Sequence, residues 1–475
     1  MTSNSHTELL QVLYSMKRAH LTSGPADLKL RQDRLLRSIN LIRNNYQRFT
    51  DAMNADFGHR STYQSQVADI ASTIKMLQHA YENVSAWMQA TEVEAPVLGM
   101  QTSIQHQALG VVGIISPWNF PLNLAFGPLA GVFAAGNTAM IKPSELTPHT
   151  SELLAELVGA TFGPDELEVV LGDAKVGQAF SELPFDHLVF TGSTAVGKHV
   201  MRAAAENLVP VTLELGGKSP VMIDSDIDTE ADITEAVEKT LTVKTFNVGQ
   251  ICLSPDYVLL PEAKLSSFID ASKVFMSNAF PTIENNPDYT SIINERHYQR
   301  LMGLLKDAEQ KGAQIISLAP VGEASHHALT RTIAPHLVIG VTEEMLIMQE
   351  EIFGPLLPIK TYQDRLDAIT YINEHPRPLA AYYFGHDSVQ QQHFAAHTTS
   401  GGLVINDVMT HVTIDSLPFG GVGPSGIGAY HGEHGFKQFS HAKPIVIQST
   451  TISEPSRLSA PYAEKQVALE VLLNG

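Results

Sequence analysis

The chain contains a single cysteine, Cys252, among 475 residues. It cannot form an intrachain disulfide or a thiolate metal cluster, so Cys252 is either a small packing residue or a nucleophile. A glycine and a glutamine precede it within the segment 247–252, and the polar turn 254–256 follows. This setting indicates a loop that presents a thiol. One cysteine without a disulfide partner is also typical of a protein in the reducing cytoplasm.

Basic residues are scarce as well, since 31 Lys and Arg stand against 50 Asp and Glu, a net charge of −19. This charge disfavours nucleic acid and anionic membrane as partners. No stretch approaches the roughly 18 consecutive apolar residues of a membrane span, and no secretory signal is recognisable at the start. Among the 20 His, His431 and His434 lie three residues apart and are the candidate pair for a metal site. It has no acidic or cysteine companion, so we predict no metal site.

The length favours two or three domains. Amphipathic periodicity predicts helices over 26–56 and 65–90. Loosely alternating polarity around 95–108 predicts an exposed ribbon, which could pair with a late strand at 444–447.

From residue 111 onward, apolar strands alternate with helices. The first five strands are predicted near 111–115, 138–141, 167–171, 187–190 and 211–214. This alternation predicts a parallel α/β sheet of the nucleotide-binding type. After residue 217 a second α/β unit is predicted, with strands near 220–223, 256–260, 314–317, 355–361, 379–384 and 403–405. The Gly-rich segment 415–436 lacks hydrophobic periodicity, and we expect a long ordered loop packed on the site.

A Gly-rich turn at 190–198 joins one of these strands to a helix. Gly192 allows a sharp bend, and Ser193 or Thr194 can cap the helix, whose free N–H groups favour a pyrophosphate. His199 stands where a Walker A loop needs Ser or Thr for Mg²⁺, which argues against an ATPase. Such turns also occur without a ligand, and the predicted sheet favours the nucleotide-binding interpretation.

Two polar groups follow other strands of this sheet. Lys142 and Glu145 could both hydrogen-bond a ribose, although an exposed charge pair is the alternative. Asn119 lies in a loop between two prolines, where its amide could stabilise an oxyanion or merely satisfy loop backbone groups.

Two acidic positions complete the candidate site. Glu214 lies in an apolar strand, where burial would raise its pKa towards that of a general base, and a salt bridge to Lys218 is the alternative. Glu350 and Glu351 precede Phe353, and one of the two carboxylates could bind the second ribose of a dinucleotide.

Together these segments resemble the aldehyde dehydrogenase superfamily. The matching motifs are PWNFP (117–121), KPSE (142–145), FTGSTAVGK (190–198), LELGGK (213–218), NVGQIC (247–252), EEIFGP (350–355) and LPFGG (417–421). The resemblance extends over about residues 34–441. Segments 250–258, 381–384 and 428–432 resemble the class 3 branch, and within it the bacterial coniferyl aldehyde dehydrogenases.

The resemblance implies an α/β fold with a Rossmann-type cofactor domain, an α/β catalytic domain and a small β element for oligomerisation. The implied divisions are an NAD(P)-binding domain over 1–94 and 109–215, a catalytic domain over 216–412, an oligomerisation ribbon over 95–108 and 437–450, a Gly-rich loop over 413–436 and a tail over 451–475. A ribbon with exposed edges favours pairing with another subunit. The class 3 branch is typically dimeric, so the resemblance implies a homodimer.

The same resemblance implies the roles of the site residues. Cys252 attacks the aldehyde as a thiolate, and Asn119 with the Cys252 N–H holds the oxyanion. Hydride leaves for the nicotinamide, and Glu214 activates the water that hydrolyses the thioester. Lys142 and Glu145 hold the adenine ribose. The other implied cofactor contacts are Trp118, Gly192, Ser193, Gly197, Leu215, Glu351 and Phe353. Glu145 favours NAD, with NADP possible.

Alternatives remain at this level. A cysteine hydrolase would use Cys252 with a histidine base and need no nicotinamide, and a binding protein on the same scaffold would have no activity. The expected substrate is an aromatic aldehyde of the coniferyl type or a medium- to long-chain aliphatic aldehyde. By position only, the candidate channel residues are Phe120, Leu124, His411 and Thr413.

Overall fold

The structure is a computed structural model that describes residues 5–96, 98–449 and 458–474. In chain order its α-helices are α1 (His6–Ser23), α2 (Leu28–Asn44), α3 (Tyr46–Phe57), α4 (Thr62–Ser65), α5 (Ser72–Trp87), α6 (Asn123–Ala134), α7 (Pro148–Thr161), α8 (Ala174–Ser181), α9 (Thr194–Ala205), α10 (Glu230–Thr245), α11 (Leu265–Ala279), α12 (Glu295–Gln310), α13 (Leu346–Gln349), α14 (Arg365–Glu374), α15 (Ser388–His397), α16 (Gly432–Gln438) and α17 (Ala463–Leu473).

The strands are β1 (Thr91–Val93), β2 (Gln101–Ala108), β3 (Val111–Ile115), β4 (Thr138–Lys142), β5 (Leu167–Val169), β6 (His187–Gly192), β7 (Val211–Leu215), β8 (Ser219–Ile223), β9 (Pro255–Pro261), β10 (Gln314–Ser317), β11 (His326–His327), β12 (Thr332–Ile333), β13 (His336–Ile339), β14 (Leu356–Tyr362), β15 (Ala380–Phe384), β16 (Gly402–Ile405), β17 (Gly426–Ile427) and β18 (Ser440–Ile447).

The first sheet has six strands in the order β17-β7-β6-β3-β4-β5. Strands β3 to β7 are parallel, and every residue of β4 is buried, as expected for a sheet covered by helices on both faces. The predicted parallel α/β sheet is therefore confirmed. The carboxyl ends of β3, β6 and β7 carry the candidate residues Asn119, Ser193 and Glu214 to one edge of the sheet.

The prediction that 415–436 is a loop throughout was wrong. Strand β17 lies within it and pairs antiparallel with β7, where Gly426 stands opposite Glu214. Gly426 has φ +155°, and a Cβ at this position would collide with the Leu213 carbonyl, so a close backbone approach requires glycine here. Helix α16 also begins inside the segment. A two-residue strand is too short to produce a recognisable period.

The second sheet has seven strands in the order β10-β13-β14-β9-β8-β15-β16. Only β10 is antiparallel to its neighbour, and the six predicted strands are all present. Strand β13 was not predicted, nor was the small pair β11–β12. One hydrophobic core continues across both sheets and the helices between them.

The N-terminal helices are broken or irregular at positions where the sequence predicts continuous helix. The expected helix over 26–56 is interrupted at Asn45, whose backbone is non-helical (φ −122°, ψ 17°) and whose side chain donates to the Leu41 carbonyl at 2.9 Å. The helix over 65–90 begins with a π-helical segment, Gln66–Ala71. Within it, buried Asp69 pairs with Arg60 at 2.8 Å. Helix α1, opened by a capping box, was not predicted.

Strands β1, β2 and β18 form a separate three-stranded sheet. Strand β18 pairs antiparallel with β2 along its whole length, which confirms the predicted ribbon. The expected ribbon includes Val97 and Thr450, and the expected tail includes 451–457 and 475, all of which lie outside the described residues. In the described part, α17 exposes Val467, Val471 and Leu472. None of the described helices is long and apolar enough to cross a bilayer.

Candidate active site

The nucleophile candidate follows an unusual loop. Asn247, Val248 and Gly249 all have left-handed backbone conformations, with φ values of 46°, 53° and 71°. Such a run is unfavourable for non-glycine residues and must be held by its surroundings. A Cβ on Gly249 would collide with the Gly354 carbonyl, so the loop can pack closely only with glycine at this position. The strain thus lies directly before Cys252.

Side-chain hydrogen bonds stabilise this loop. The side-chain Nε2 of Gln250 donates to the backbone carbonyls of Asn247 at 3.1 Å and Ser291 at 3.2 Å. Its side-chain Oε1 accepts from the Ile293 N–H at 3.0 Å. The Asn247 N–H donates to Gln64 Oε1 at 2.9 Å. All the hydrogen-bonding groups of the Gln250 amide are therefore engaged with neighbouring loops, which orders the chain that carries Cys252.

Asn119 meets the same loop from the end of β3. Its side-chain Nδ2 donates to the backbone carbonyl of Gln250 at 3.2 Å. Its backbone carbonyl accepts from Asn247 Nδ2 at 3.3 Å. The side-chain amide of Asn119 thus satisfies a backbone carbonyl of the loop, which is the alternative role predicted for it. It also lines the same cavity as Cys252, so a neutral donor stands beside the thiol.

Glu214 lies in β7 and is only 3% exposed. Neither carboxyl oxygen has a hydrogen-bond partner among the residues that the structure describes. Burial raises the pKa of this carboxyl well above its ordinary value. The alternative of a salt bridge to Lys218 was wrong, because Lys218 pairs with Asp256 instead. An unpaired buried carboxyl is costly, and it is typical of a group that acts on a ligand or water.

Cys252 and Glu214 line one cavity of about 440 Å³. The other predicted residues that line it are Asn119, Trp118, Gly192, Ser193, Leu215, Glu351 and Phe353. Lys142, Glu145 and Gly197 are not among the lining residues. The structure therefore brings the predicted catalytic residues together with most of the predicted cofactor contacts.

One end of the cavity is the N-terminus of α9. Ser193 caps this helix by accepting from the Val196 N–H at 3.4 Å, and Gly192, Ser193, Thr194 and Ala195 line the cavity. The unpaired N–H groups of a helix N-terminus attract phosphate oxygens, so this end fits a pyrophosphate. Gly197 has a packing role, since a Cβ there would lie 2.6 Å from Leu215 Cδ2.

Lys142 and Glu145 lie at the end of β4. Lys142 is 3% exposed and donates to Glu145 at 3.0 Å, whereas the Glu145 side chain is 41% exposed. The pair is therefore not the exposed charge pair of the alternative, because Lys142 is buried, and it does not line the cavity. Its half-open carboxylate can accept hydrogen bonds from hydroxyl groups.

Glu351 and Phe353 form another wall. The Glu351 carboxylate lies against Gly216, where a Cβ would collide with it, and accepts from the Gly217 N–H. Burial, and next the negative charge of Asp256, raise its pKa to about 8. The Phe353 ring makes an edge contact with Trp118, with ring centroids 5.4 Å apart. These aromatic side chains offer flat apolar surfaces to a ring.

The electrostatics at Cys252 oppose ionisation. Burial, followed by the charges of Glu351 and Glu214, raises the pKa of the thiol to about 12, although the N–H groups of Cys252 and Leu253 favour the thiolate. Forming the thiolate at neutral pH therefore requires a base, and Glu214 is suited to that role because its pKa is also raised.

Several residues that line the cavity were not predicted from the sequence. His297 and Arg300 lie on α12, which carries no recognised motif, and they reach the cavity only through tertiary packing. Phe419 also lines the cavity. It lies in the LPFGG motif, which was the only signal in the sequence that could have placed it at the site. Of the channel candidates, Leu124 lines the cavity, whereas Phe120, His411 and Thr413 do not. Within the described ranges, no three His, Cys, Asp or Glu side chains could hold a metal ion together.

Comparisons with known proteins agree with this geometry. Residues 5–445 match the aldehyde dehydrogenase family. The coniferyl aldehyde dehydrogenase of Pseudomonas sp. strain HR199 is 54% identical over 96% of this chain and 94% of its own. The substrate-bound Staphylococcus aureus AldH structure is 36% identical, with a TM-score of 0.91 over 98% of this chain and 99% of that chain.

An indole-3-acetaldehyde dehydrogenase structure in complex with NAD⁺ is 25% identical, with a TM-score of 0.83 over 93% of this chain and 88% of that chain. None of these matches supports a cysteine hydrolase or a non-catalytic binding protein. The chain belongs to the aldehyde dehydrogenase family and is an NAD(P)-dependent enzyme that oxidises an aldehyde.

Proposed function

We propose that the protein oxidises an aromatic aldehyde of the coniferyl type to its carboxylic acid through a thioester on Cys252. The observation that carries this mechanism is the buried Glu214 carboxyl without a described partner, in the same cavity as the lone thiol. A thiol supplies the nucleophile, and a carboxyl of raised pKa supplies the base.

The first step is attack on the carbonyl carbon. Glu214 takes the proton from the Cys252 thiol, and the sulfur forms a bond to the aldehyde carbon. The carbonyl oxygen becomes an oxyanion, which Asn119 Nδ2 and the Cys252 N–H stabilise as donors. Asn119 Nδ2 already donates to the Gln250 carbonyl at 3.2 Å, so its amide is held in place before the substrate arrives.

The cofactor site fits a dinucleotide. The α9 N-terminus opens on the cavity, and a Cβ at Gly216 would fill the space now taken by the Glu351 carboxylate. When bound, NAD would supply the hydride acceptor for oxidation of the substrate carbon. Ser193 and the α9 N–H groups would hold the pyrophosphate, and Glu351 would bind the nicotinamide ribose beside Phe353 and Trp118. Lys142 and Glu145 would hold the adenine ribose, where Glu145 would favour NAD over NADP because it repels a 2′-phosphate.

The second half of the reaction releases the acid. Glu214 first releases to solvent the proton that it took from the thiol. It then removes a proton from a water molecule, which attacks the thioester carbon and displaces the Cys252 sulfur. The departing thiolate takes up this proton from Glu214, and the acid product loses its own proton to solvent and leaves as a carboxylate. A base buried without a fixed hydrogen-bond partner is free to orient the water.

The substrate assignment rests on two observations. The relative at 54% identity is a coniferyl aldehyde dehydrogenase. The cavity wall also includes Phe419, whose ring is not assigned to the cofactor and offers an aromatic surface that favours a flat substrate ring.

The assembly and location are also proposals. We propose a homodimer joined through the β1-β2-β18 ribbon, in the cytoplasm, where a catalytic thiol stays reduced. We further propose that 1–94 and 109–215 bind the cofactor and that 216–412 carries the nucleophile. In this division the Gly-rich segment 413–436 closes the site, since Phe419 lines the cavity.

Steady-state rates of NADH formation with coniferyl aldehyde and with a medium-chain aliphatic aldehyde test the proposal. We expect kcat/KM at least about tenfold higher for the aromatic substrate, a difference of about 1.4 kcal/mol in transition-state binding. The Cys252→Ala variant should lose activity with both substrates and retain NAD binding. Turnover by this variant at the wild-type rate would contradict the proposed nucleophile.

A further inference from the structure

The segment 347–353 carries two of the proposed cofactor contacts, Glu351 and Phe353, yet most of it lies outside regular structure. It runs from the end of the one-turn helix α13 towards β14. Phe353 has φ +49°, a left-handed conformation that is unfavourable for a bulky residue. Such a segment keeps its shape only if other side chains hold its backbone groups.

Lys218 is one such side chain. Its Nζ donates to the carbonyls of Ile347 at 2.8 Å and Glu350 at 3.1 Å, and it pairs with the Asp256 carboxylate. The three N–H donors of the ammonium group thus have three acceptors. Two of these acceptors are backbone carbonyls that precede Glu351, that of Glu350 directly and that of Ile347 within α13.

Asp256 completes the link from β9. One carboxylate oxygen accepts from Lys218, and the other accepts from the Ile352 N–H at 2.9 Å. The side chains are 14% exposed for Lys218 and 4% for Asp256. A charged pair with so little access to water is strong only because further hydrogen bonds satisfy it, and here these bonds go to 347–353. Arg300 adds donors to the carbonyls of Glu351 and Ile352 from α12.

The position of Lys218 in the chain links the two halves of the site. It follows β7, which ends at Leu215 and contains Glu214. Between them, Gly216 lies against the Glu351 carboxylate, and the Gly217 N–H donates to it. From Glu214, the proposed base, the chain therefore runs past the Glu351 carboxylate to Lys218. Lys218 in turn holds the segment 347–353 that carries Glu351.

We propose that Lys218 and Asp256 are positioning residues for the nicotinamide end of the cofactor. They act through the backbone of 347–353, and they fix Glu351 and Phe353 relative to the strand that bears Glu214. This inference rests on the proposed role of Glu351 in binding NAD. Neither side chain lines the cavity, so neither is assigned a contact with the cofactor.

The test compares NAD binding with a reaction that needs no cofactor. Lys218→Met removes the charge and the donors while keeping a long side chain, and the double variant Lys218→Met/Asp256→Asn also avoids an unpaired buried carboxylate. The Kd for NAD is measured by titration calorimetry. Hydrolysis of p-nitrophenyl acetate without NAD is measured in parallel, because an activated ester acylates Cys252 directly.

We expect both variants to raise the Kd for NAD about tenfold or more, since small displacements of positioning groups are costly, while ester hydrolysis stays within about twofold of wild type. Lys239→Met is the matched control, because Lys239 also pairs with a carboxylate, Glu235, and donates to a backbone carbonyl at Asn406. The control should leave both measurements unchanged.

Two results would overturn the inference. An unchanged Kd in a folded double variant would show that the pair does not position the site. Loss of ester hydrolysis together with NAD binding would show a general structural role. A failure of the proposed function would look different, because wild type itself would then show no NAD-dependent aldehyde oxidation.

Discussion

At the scale of single residues, Glu214 combines burial with the lack of any described hydrogen-bond partner. An uncompensated carboxyl of this kind opposes folding, and proteins tolerate it mainly where function requires it. The same environment raises the pKa of the carboxyl, which suits a base that must work on water near neutral pH. Its kinetic role and its effect on stability can therefore be tested with one substitution.

Glu214→Gln should separate the two halves of the reaction. Stopped-flow absorbance should still show a burst of NADH, because water can accept the thiol proton in place of Glu214 and acylation of Cys252 then remains faster than hydrolysis of the thioester. The steady-state rate should fall about 100-fold or more, since hydrolysis of the thioester depends on general-base catalysis. An unchanged steady-state rate would assign the base to another residue.

The same variant should be more stable than wild type at neutral pH. The folded pKa of Glu214 is raised, so the native state binds a proton that the unfolded chain has released, and native stability falls as pH rises above the unfolded pKa of about 4.3. Glutamine has no such penalty. The Tm difference between Glu214→Gln and wild type should therefore grow as pH rises above about 4. A difference that stays constant with pH would argue against a raised pKa.

Residue-level prediction was possible where candidate residues stand in short motifs. Cys252, Asn119 and Glu214 were predicted as site residues, and the structure brings them to one cavity, while their roles are part of the proposed function. His297 and Arg300 reach that cavity from α12, and no local pattern marks a contact made by tertiary packing. The partner of Lys218 was wrong for the same reason, because Asp256 is distant in sequence and adjacent in space.

At the scale of elements, the strained loop before Cys252 is the feature that most affects the site. Asn247 and Val248 adopt left-handed conformations without being glycine. A hydrogen bond donated by Gln250 Nε2 and one accepted by Gln64 Oε1 compensate. The loop therefore depends on exact packing against its neighbours, and Gly354 is the nearest of them.

Gly249→Ala should disrupt this loop. The substitution places a Cβ against the Gly354 carbonyl at a φ of +71°, so we expect a loss of stability of more than about 1 kcal/mol and slower reaction of Cys252 with a thiol reagent. Both changes can be measured by thermal unfolding and by alkylation kinetics.

Gly303→Ala provides the matched control. Gly303 lies inside α12, and apart from its chain neighbours and the helix's own backbone, no described atom lies within 4 Å of a Cβ at this position. Alanine should be neutral or stabilise the helix by up to about 1 kcal/mol. Equal effects of the two substitutions would contradict the account of the loop.

Elements were predictable where they are long and periodic. The strands of the first sheet and the ribbon were identified from apolar runs and alternation. Strand β17 was missed because it has only two residues, too few to show a hydrophobic period, and because it forms only by pairing with β7. The break at Asn45 was missed because the apolar period continues through it, so only the backbone turn separates α2 from α3.

At the scale of the whole molecule, the ribbon leaves one edge of β18 without a partner strand among the described residues. Val446 and Ile447 on this strand are 59% and 56% exposed. Exposed apolar edge strands favour pairing with another chain, which supports a homodimer.

Light scattering at micromolar concentration should therefore give the mass of a dimer for wild type. Val446→Lys/Ile447→Lys should give a monomer that still binds NAD, because charged residues at an edge oppose pairing. Leu208→Lys, at a residue 90% exposed beyond α9, should remain a dimer. A monomeric wild-type protein would refute the proposed assembly.

The central claim is that Cys252 carries the acyl group during turnover. Its most direct test is mass spectrometry of Glu214→Gln, quenched with acid after mixing with NAD and coniferyl aldehyde. We expect one added acyl group per chain, located on the peptide that contains Cys252, because acylation outpaces hydrolysis in this variant. NADH formation without any acylated peptide would contradict the covalent mechanism.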